Sequence, residues 1–345
     1  MRRIALVYSA NPAHGMAGMD MIRWAAMGKC FKSHGFKTHP VTDRRRDVER
    51  FGGVKVKSAR SAEWRDYDAL KVCYQASIDL VPPHPNLIVR MCRVVDERHP
   101  RRDDGRREEL MRQQQRISEM ASMVAFNDEV NAERWRRIYG ESARVLIVPT
   151  GCPEVIPEPA ANPFPGDRRI VLFCGSLTSH RFPGVLNRLA RRLRSESADI
   201  ELHVVGKNSL LHYAGESEPL DESVVHVHGP VDQAEAWQYM LHAHVGVALA
   251  PSADVFESEL SKIYYYLRSG LPVVTESVVP NRGVIAETGH GAVAAYDDLD
   301  DLAAKTIEAM GSGARDPRVM QYMVDRHGWM QRARTYVDAL GSRWQ

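Results

Sequence analysis

Two doubly wound α/β domains in tandem are what this sequence predicts, and three observations carry that expectation. Short apolar runs alternate with helix-length segments from end to end, a proline-dense stretch interrupts the alternation near the middle, and the alternation then restarts. At 345 residues the chain also exceeds what one hydrophobic core usually organises.

Taken in order, Ile4–Ser9 reads as a first strand and Met21–His34 as the helix behind it. Strands follow at Ala69–Tyr74, Leu87–Val95 and Met123–Phe126, then a helix at Val130–Tyr139 and a strand at Val145–Val148. Apolar runs of this length separated by helices imply parallel strands with crossover connections. Prolines crowd residues 149–166, where neither helix nor sheet is favoured, so this stretch is the expected linker. The second series comprises strands at Ile170–Cys174, Glu201–Val205, Val224–His228, Val245–Ala250, Pro272–Val274 and Ala292–Ala295. Its helices are Gly184–Arg194, Gln233–Ala243, one at Lys262 and Leu299–Met310. At the end, Trp329, Ala333, Tyr336, Val337 and Leu340 recur at helical spacing and should bury one face. The expected division is 1–150, 151–328 and a C-terminal helix over 329–345.

Composition excludes several classes. Lys plus Arg total 46 against 44 Asp plus Glu, a net charge of +2, without the basic excess of a dedicated nucleic-acid binder. The five cysteines, Cys30, Cys73, Cys92, Cys152 and Cys174, are scattered, odd in number and form no CxxC pair, so they support neither a disulfide framework nor a zinc site and fit a reducing cytoplasm. The apolar run Ile4–Tyr8 is too short for a signal sequence or a membrane span. The densest charge run, Asp96–Arg112, mixes both signs and reads as a solvated loop and helix face; peripheral contact with an anionic inner-membrane surface is its alternative meaning.

The most informative segment is Ser252–Val274, an acidic loop, a helix start and a buried strand in succession. Glu257, Glu259 and Ser261 crowd the front of the helix, Lys262 puts a cation in its first turn, and Gly270 ends it before Pro272 opens the strand. Helix N–H groups and the macrodipole favour an anion there, and Lys262 adds a full positive charge. The plain alternative is a surface helix capped by Ser261.

Two such domains, ending in Glu257, Ser261-Lys262-Ile263, Tyr266-Leu267 and Gly270-Leu271-Pro272-Val273-Val274, resemble the GT-B glycosyltransferases, in particular glycosyltransferase family 4. Ile170–Leu177 is similar to the first strand and glycine turn of that family's nucleotide domain, His226–Val231 to its mid-domain turn, and Leu146–Gly151 to its interdomain junction. Two departures stand out. Where the family usually carries a second glutamate for the ribose, this chain has Tyr265, and for the family's Arg and Lys on the donor diphosphate it offers only Arg181, so that Lys262 takes up the phosphate. In these respects it also resembles the glucuronosyltransferases of exopolysaccharide synthesis. The resemblance implies two Rossmann-like domains with an interdomain cleft and a C-terminal helix returning to the first. It further implies a hexosyltransferase that moves sugar from a UDP- or GDP-linked donor to a hydroxyl acceptor, whether glycan, lipid-linked intermediate or small molecule, without metal or cofactor. Gly175, Ser176, Arg181, Glu257, Glu259, Ser261 and Lys262 are the implied donor-binding residues.

The acceptor side falls to the first domain. Asn11–Asp20 follows the first strand and opens a helix; Gly15 and Gly18 let backbone approach a ligand, and His14 and Asp20 titrate. Asp96, ending the Leu87–Val95 strand at the carboxyl edge where open α/β sheets bind ligands, ranks first as general base, with Asp20 and His14 behind it. Asp20 serves equally as a charge complement to the helix N-terminus. Asp298-Leu299-Asp300 imitates a metal-binding DxD but precedes a helix, where acidic caps are expected. The 14 histidines show no HExxH spacing, and His226 and His228 alternate along a strand as structural or one-sidedly exposed residues. A nucleotide-sugar 2-epimerase and a catalytically silent binding relative are the competing readings.

Overall fold

The computed structural model describes residues 1–14, 18–44, 49–96, 106–210, 217–253, 259–311 and 315–342. The chain divides into two compact units: Met1–Gly151 with His327–Gln345, and Cys152–Val255 with Glu259–Arg326.

The first unit runs β1 (Arg3–Val7), α1 (Met19–Ser33), β2 (Lys37–Thr42), β3 (Arg50–Phe51), β4 (Val54–Lys55), β5 (Lys57–Ser58), β6 (Ala69–Val72) and β7 (Leu87–Arg90). It continues with α2 (Arg106–Met120), β8 (Met123–Phe126), α3 (Glu129–Tyr139) and β9 (Arg144–Ile147). Seven strands form one parallel sheet in the order β5-β2-β1-β6-β7-β8-β9, and β3 and β4 make a small antiparallel pair beside it. Strand order reverses between β1 and β6, the crevice where doubly wound sheets place ligands. Ile4, Leu6, Trp24 and Phe31 fill the core on one face of the sheet, and Leu70, Val89, Phe126 and Trp135 fill it on the other.

The second unit contains β10 (Arg169–Cys174), α4 (Arg181–Glu196), β11 (Ile200–Val205), β12 (Val225–Gly229), α5 (Gln233–His242), β13 (Val245–Ala248) and α6 (Ser261–Arg268). Then follow β14 (Val273–Glu276), α7 (Gly283–Thr288), β15 (Gly291–Ala294), α8 (Leu299–Gly311) and α9 (Pro317–His327). Its six strands are parallel in the order β12-β11-β10-β13-β14-β15, reversing between β10 and β13. Both sheets are therefore doubly wound, as the sequence predicts. No described helix is long and apolar enough to cross a membrane.

The last helix, α10 (Trp329–Gly341), belongs to the first unit and lies on α1, with Tyr336 and Phe31 ring centroids 6.2 Å apart. Gly151 is needed for this seat, because a Cβ there would stand 2.5 Å from the Trp329 ring. The proline-rich stretch is tied down within the second unit: Arg268 Nε and Nη2 donate to the carbonyls of Pro153 and Glu154 at 2.8 and 2.7 Å, and Gln238 Nε2 to that of Glu158 at 3.1 Å.

Two elements differ from expectation. β2, where no strand was expected, carries Pro40; Lys37 N donates to Arg2 O, and N–H groups alternate sides along a strand, so the Pro40 nitrogen faces away from β1 and no ladder bond to β1 is lost. β7 stops at Arg90 rather than Val95, because side chains take over its later backbone donors. The N–H groups of Cys92, Val94 and Val95 go to Gln75 Oε1, Asn131 Oδ1 and Gln114 Oε1 at 3.3, 3.0 and 2.6 Å.

Candidate active site

The carboxyl edge of the second sheet is assembled by close backbone packing. Gly206, which follows β11 with φ +146°, lies so near Gly175, which follows β10, that a Cβ on Gly206 would meet the Gly175 carbonyl oxygen at 2.2 Å. Helix α6 is seated over this edge by Tyr266. Its hydroxyl accepts from the Cys174 N–H at 2.6 Å, and its ring occupies the space that a Gly246 side chain would need.

That seating carries Lys262 to the switch point. Its Nζ sits 3.5 Å from the centroid of the Phe173 ring and 3.3 Å from where a Gly175 Cβ would be. Among the described residues no carboxylate and no hydrogen-bond acceptor pairs with it; the cation faces aromatic rings and the glycine turn. Burial pushes the Lys262 ammonium down to about 7, opposed by the nearby Cys174 sulfur, and burial in turn pushes the Cys174 thiol up to about 11. A half-buried cation of this kind, in the first turn of a helix at a sheet's carboxyl edge, is suited to an oxyanion.

The other residues expected at the donor site divide. Ser176 is exposed on the turn after β10. Ser261 is the first residue of α6, whose N-cap is Leu260, so the capping role weighed for Ser261 is not the one it has. Glu259 accepts the Tyr264 hydroxyl at 2.5 Å. Arg181 is drawn into a different network: its guanidinium is paired with the buried Glu276 at the end of β14, donates to Ala250 O at 3.0 Å and Asp297 Oδ1 at 3.2 Å, and lies 4.6 Å from the Tyr296 ring. Glu276 also accepts the Ala250 N–H at 2.7 Å, so this pair fixes the loop after β13. Tyr265 is buried and stacked on Trp237 with centroids 5.3 Å apart. Asp298 Oδ1 accepts the Asp301 N–H at 2.9 Å at the head of α8, and Asp300 pairs with Arg192 at 3.1 Å. Glu257, Gly15 and the side chain of His14 lie outside the described residues.

At the carboxyl edge of the first sheet, Gly18 caps α1 with φ +92°, a conformation that favours glycine, and leads directly to Asp20. Asp20 Oδ1 accepts from Arg23 Nη1 at 3.1 Å and Arg90 Nη1 at 3.3 Å. Both guanidiniums are buried and reach further groups of the same edge: Arg23 donates to Thr150 Oγ1 at 3.1 Å, and Arg90 to Asn127 Oδ1 at 3.3 Å. Asp96 is not at the end of β7, which stops short of it; it stands 3.8 Å from Arg137 on α3. Arg23 and Arg90 were missed by sequence reasoning. Arg90 had a signal, being one of two arginines, with Arg93, inside the otherwise apolar run Leu87–Val95; Arg23 had none.

Residues 168–312 match the family described as "Glycosyl transferases group 1". No curated protein matches the chain. Over its whole length the fold is that of solved GT-B structures. Sucrose-phosphate synthase from Thermosynechococcus elongatus is 15% identical with a TM-score of 0.72, covering 100% of this chain and 99% of that one. HepE from Anabaena, in complex with UDP-glucose, is 12% identical with a TM-score of 0.70, covering 99% and 100%. A glycosyltransferase from Rickettsia africae is 11% identical with a TM-score of 0.68, covering 99% and 98%. The resemblance to GT-B glycosyltransferases drawn from the sequence is borne out.

Proposed function

We propose that the chain is a glycosyltransferase that moves a hexosyl group from a nucleotide-diphosphate sugar to a hydroxyl acceptor, without a bound metal. The observation that carries this reading is Lys262: a half-buried cation with no carboxylate partner among the described residues, in the first turn of α6, over the glycine turn at the β10–β13 switch point. Breaking the glycosidic bond leaves negative charge on the departing diphosphate. A preorganised cation and the first N–H groups of α6 stabilise that charge where it develops, and removing one such donor typically costs about a hundredfold or more in rate. Because Arg181 is already engaged by Glu276, the phosphate load rests on Lys262 and the α6 N-terminus. The first unit supplies the acceptor side, where Asp20, Arg23 and Arg90 form a fixed polar group at the sheet edge. A UDP donor fits the company of structures such as HepE, whose complex holds UDP-glucose.

Titrating the full chain with UDP, GDP and their glucosyl derivatives, alongside donor turnover with a simple glucosyl acceptor, tests the reading. Binding of at least one nucleoside diphosphate is expected, abolished or strongly weakened in a folded Lys262→Ala variant. If no nucleoside diphosphate binds, or if the variant binds and turns over as the wild type does, the assignment of this edge is wrong.

A further inference from the structure

Away from the donor edge, the strands β11 and β12 bring three histidines and a glutamate onto one face. Glu201 and His203 alternate along β11, and His226 and His228 along β12, with His203 opposite His226 in the register. Glu201 Oε2 lies 3.3 Å from His203 Nε2 and 3.8 Å from His226 Nε2, and the ligand atoms of the three residues all fall within 4.8 Å of one another. Tetrahedral ligation at about 2.0–2.2 Å requires ligand atoms roughly 3.3–3.6 Å apart, so the Glu201–His203 pair already has this spacing and the third ligand is a short movement away.

We propose that Glu201, His203 and His226 form a binding site for a zinc-class divalent cation that ties the edge strand β12 to β11. Two imidazoles and a carboxylate suit Zn2+ and its neighbours rather than Mg2+ or Ca2+. Glu201 is arranged for it: Oε1 faces Arg168 at 3.5 Å, which leaves Oε2 to the histidines. His203 has the supporting contact that metal-bound histidines require. Its Nδ1 is 2.8 Å from His228 Nε2, whose Nδ1 is 3.1 Å from the Tyr239 hydroxyl, and Phe164 closes the side with its ring 4.8 Å from His203.

This relay lets the metal enter without a change in proton count. In the metal-free protein one set of tautomers satisfies every contact: Tyr239 donating to His228 Nδ1, His228 Nε2–H to His203 Nδ1, and His203 Nε2–H to Glu201. With a metal on His203 Nε2, each imidazole proton moves to the other nitrogen: His203 Nδ1–H donates to His228 Nε2, and His228 Nδ1–H to the Tyr239 oxygen. His226 is the movable ligand. It is stacked on His203 with centroids 4.5 Å apart and planes at 16°, and its side chain is 43% exposed, so ligation turns it out of the stack. Glu201 is the second residue of β11 and the donor edge begins after Val205, so the site is separate from transfer and its role is to hold an edge strand.

The test is binding of Zn2+, and of Co2+ as a visible probe, to the metal-free full chain, with His226→Ala on the exposed edge and His228→Phe in the relay. One saturable equivalent is expected, with the d–d absorption of four-coordinate Co2+ and an upward shift in Tm. His226→Ala should abolish it, and His228→Phe, which touches no metal, should weaken it about tenfold to a hundredfold. Absence of saturable binding to the wild type would overturn the proposal, as would binding that both variants leave unchanged.

Discussion

Lys262 offers a test that separates a functional cation from a structural one, because binding and stability should move in opposite directions. In the free protein its ammonium titrates at about 7, against an ordinary value of 10.5. A diphosphate beside it restores the charged form, so nucleotide binding should take up a proton. At pH 8 only about one-tenth of the free protein carries the charge and nearly all of the complex does, an uptake of about 0.9 proton; at pH 6 the uptake falls to about 0.1. Affinity should accordingly weaken about tenfold per pH unit above 7. For stability the sign is the reverse of a salt-bridged lysine. The folded value is depressed, the unfolded chain binds more protons between about 7 and 10.5, and stability rises through that window while the full penalty applies below it. That penalty is at most ~4–5 kcal/mol. Lys262→Met should therefore bind nucleoside diphosphate poorly, lose the uptake, and unfold at higher denaturant concentration than the wild type at pH 6. Calorimetry at pH 8 in two buffers of different ionisation enthalpy measures the uptake, and chemical denaturation measures the rest. Equal proton uptake in wild type and variant, or a less stable variant at pH 6, would refute the argument.

Other perturbations follow from the same networks. Asp20→Ala leaves Arg23 and Arg90 buried without their shared carboxylate and should cost about 3 kcal/mol by denaturant titration; a loss under about 1 kcal/mol would mean that the two guanidiniums find other partners. Glu276→Gln removes the buried partner of Arg181 and weakens the hold on the Ala250 N–H, with an expected loss of about 3–5 kcal/mol, read in the same way. Sugar transfer should persist in excess chelator at temperatures well below Tm, and a loss that magnesium restores would place a hard cation at the diphosphate.

The alternation of strands and helices was legible because both sheets are parallel and buried on both faces, so their strands read as short apolar runs such as Leu87–Arg90 and Arg169–Cys174. β2 was not. Lys37, Thr38, His39 and Pro40 carry no apolar pattern, and Thr38 and His39 are buried only because neighbouring elements cover them. The true end of β7 was equally hidden, since Gln75, Gln114 and Asn131, which claim the backbone donors after it, lie far along the chain. Asp20 shows the same limit at the site. Its place before a helix was visible, but its second partner, Arg90, is 70 residues away.

The comparison of Arg181 with Lys262 shows why cations near one sheet edge cannot be sorted by residue type and spacing alone. Both were expected to face the donor phosphate. Arg181 is compensated: a buried glutamate from β14, a backbone carbonyl and an exposed aspartate take up its two terminal nitrogens, and the whole fixes the loop after β13. Lys262, on the helix that Tyr266 seats, lies against the Phe173 ring in a place that supplies no counter-charge among the described residues. A folded protein minimises such costs wherever nothing else requires them, so an uncompensated charge largely withdrawn from water points to an anion that arrives later. Removing a compensated cation breaks the fold's own network and lowers stability. Removing an uncompensated one relieves the fold and removes the ligand's partner, which is why the gain in stability of Lys262→Met, measured beside its loss of nucleotide, discriminates more sharply than the loss of activity alone.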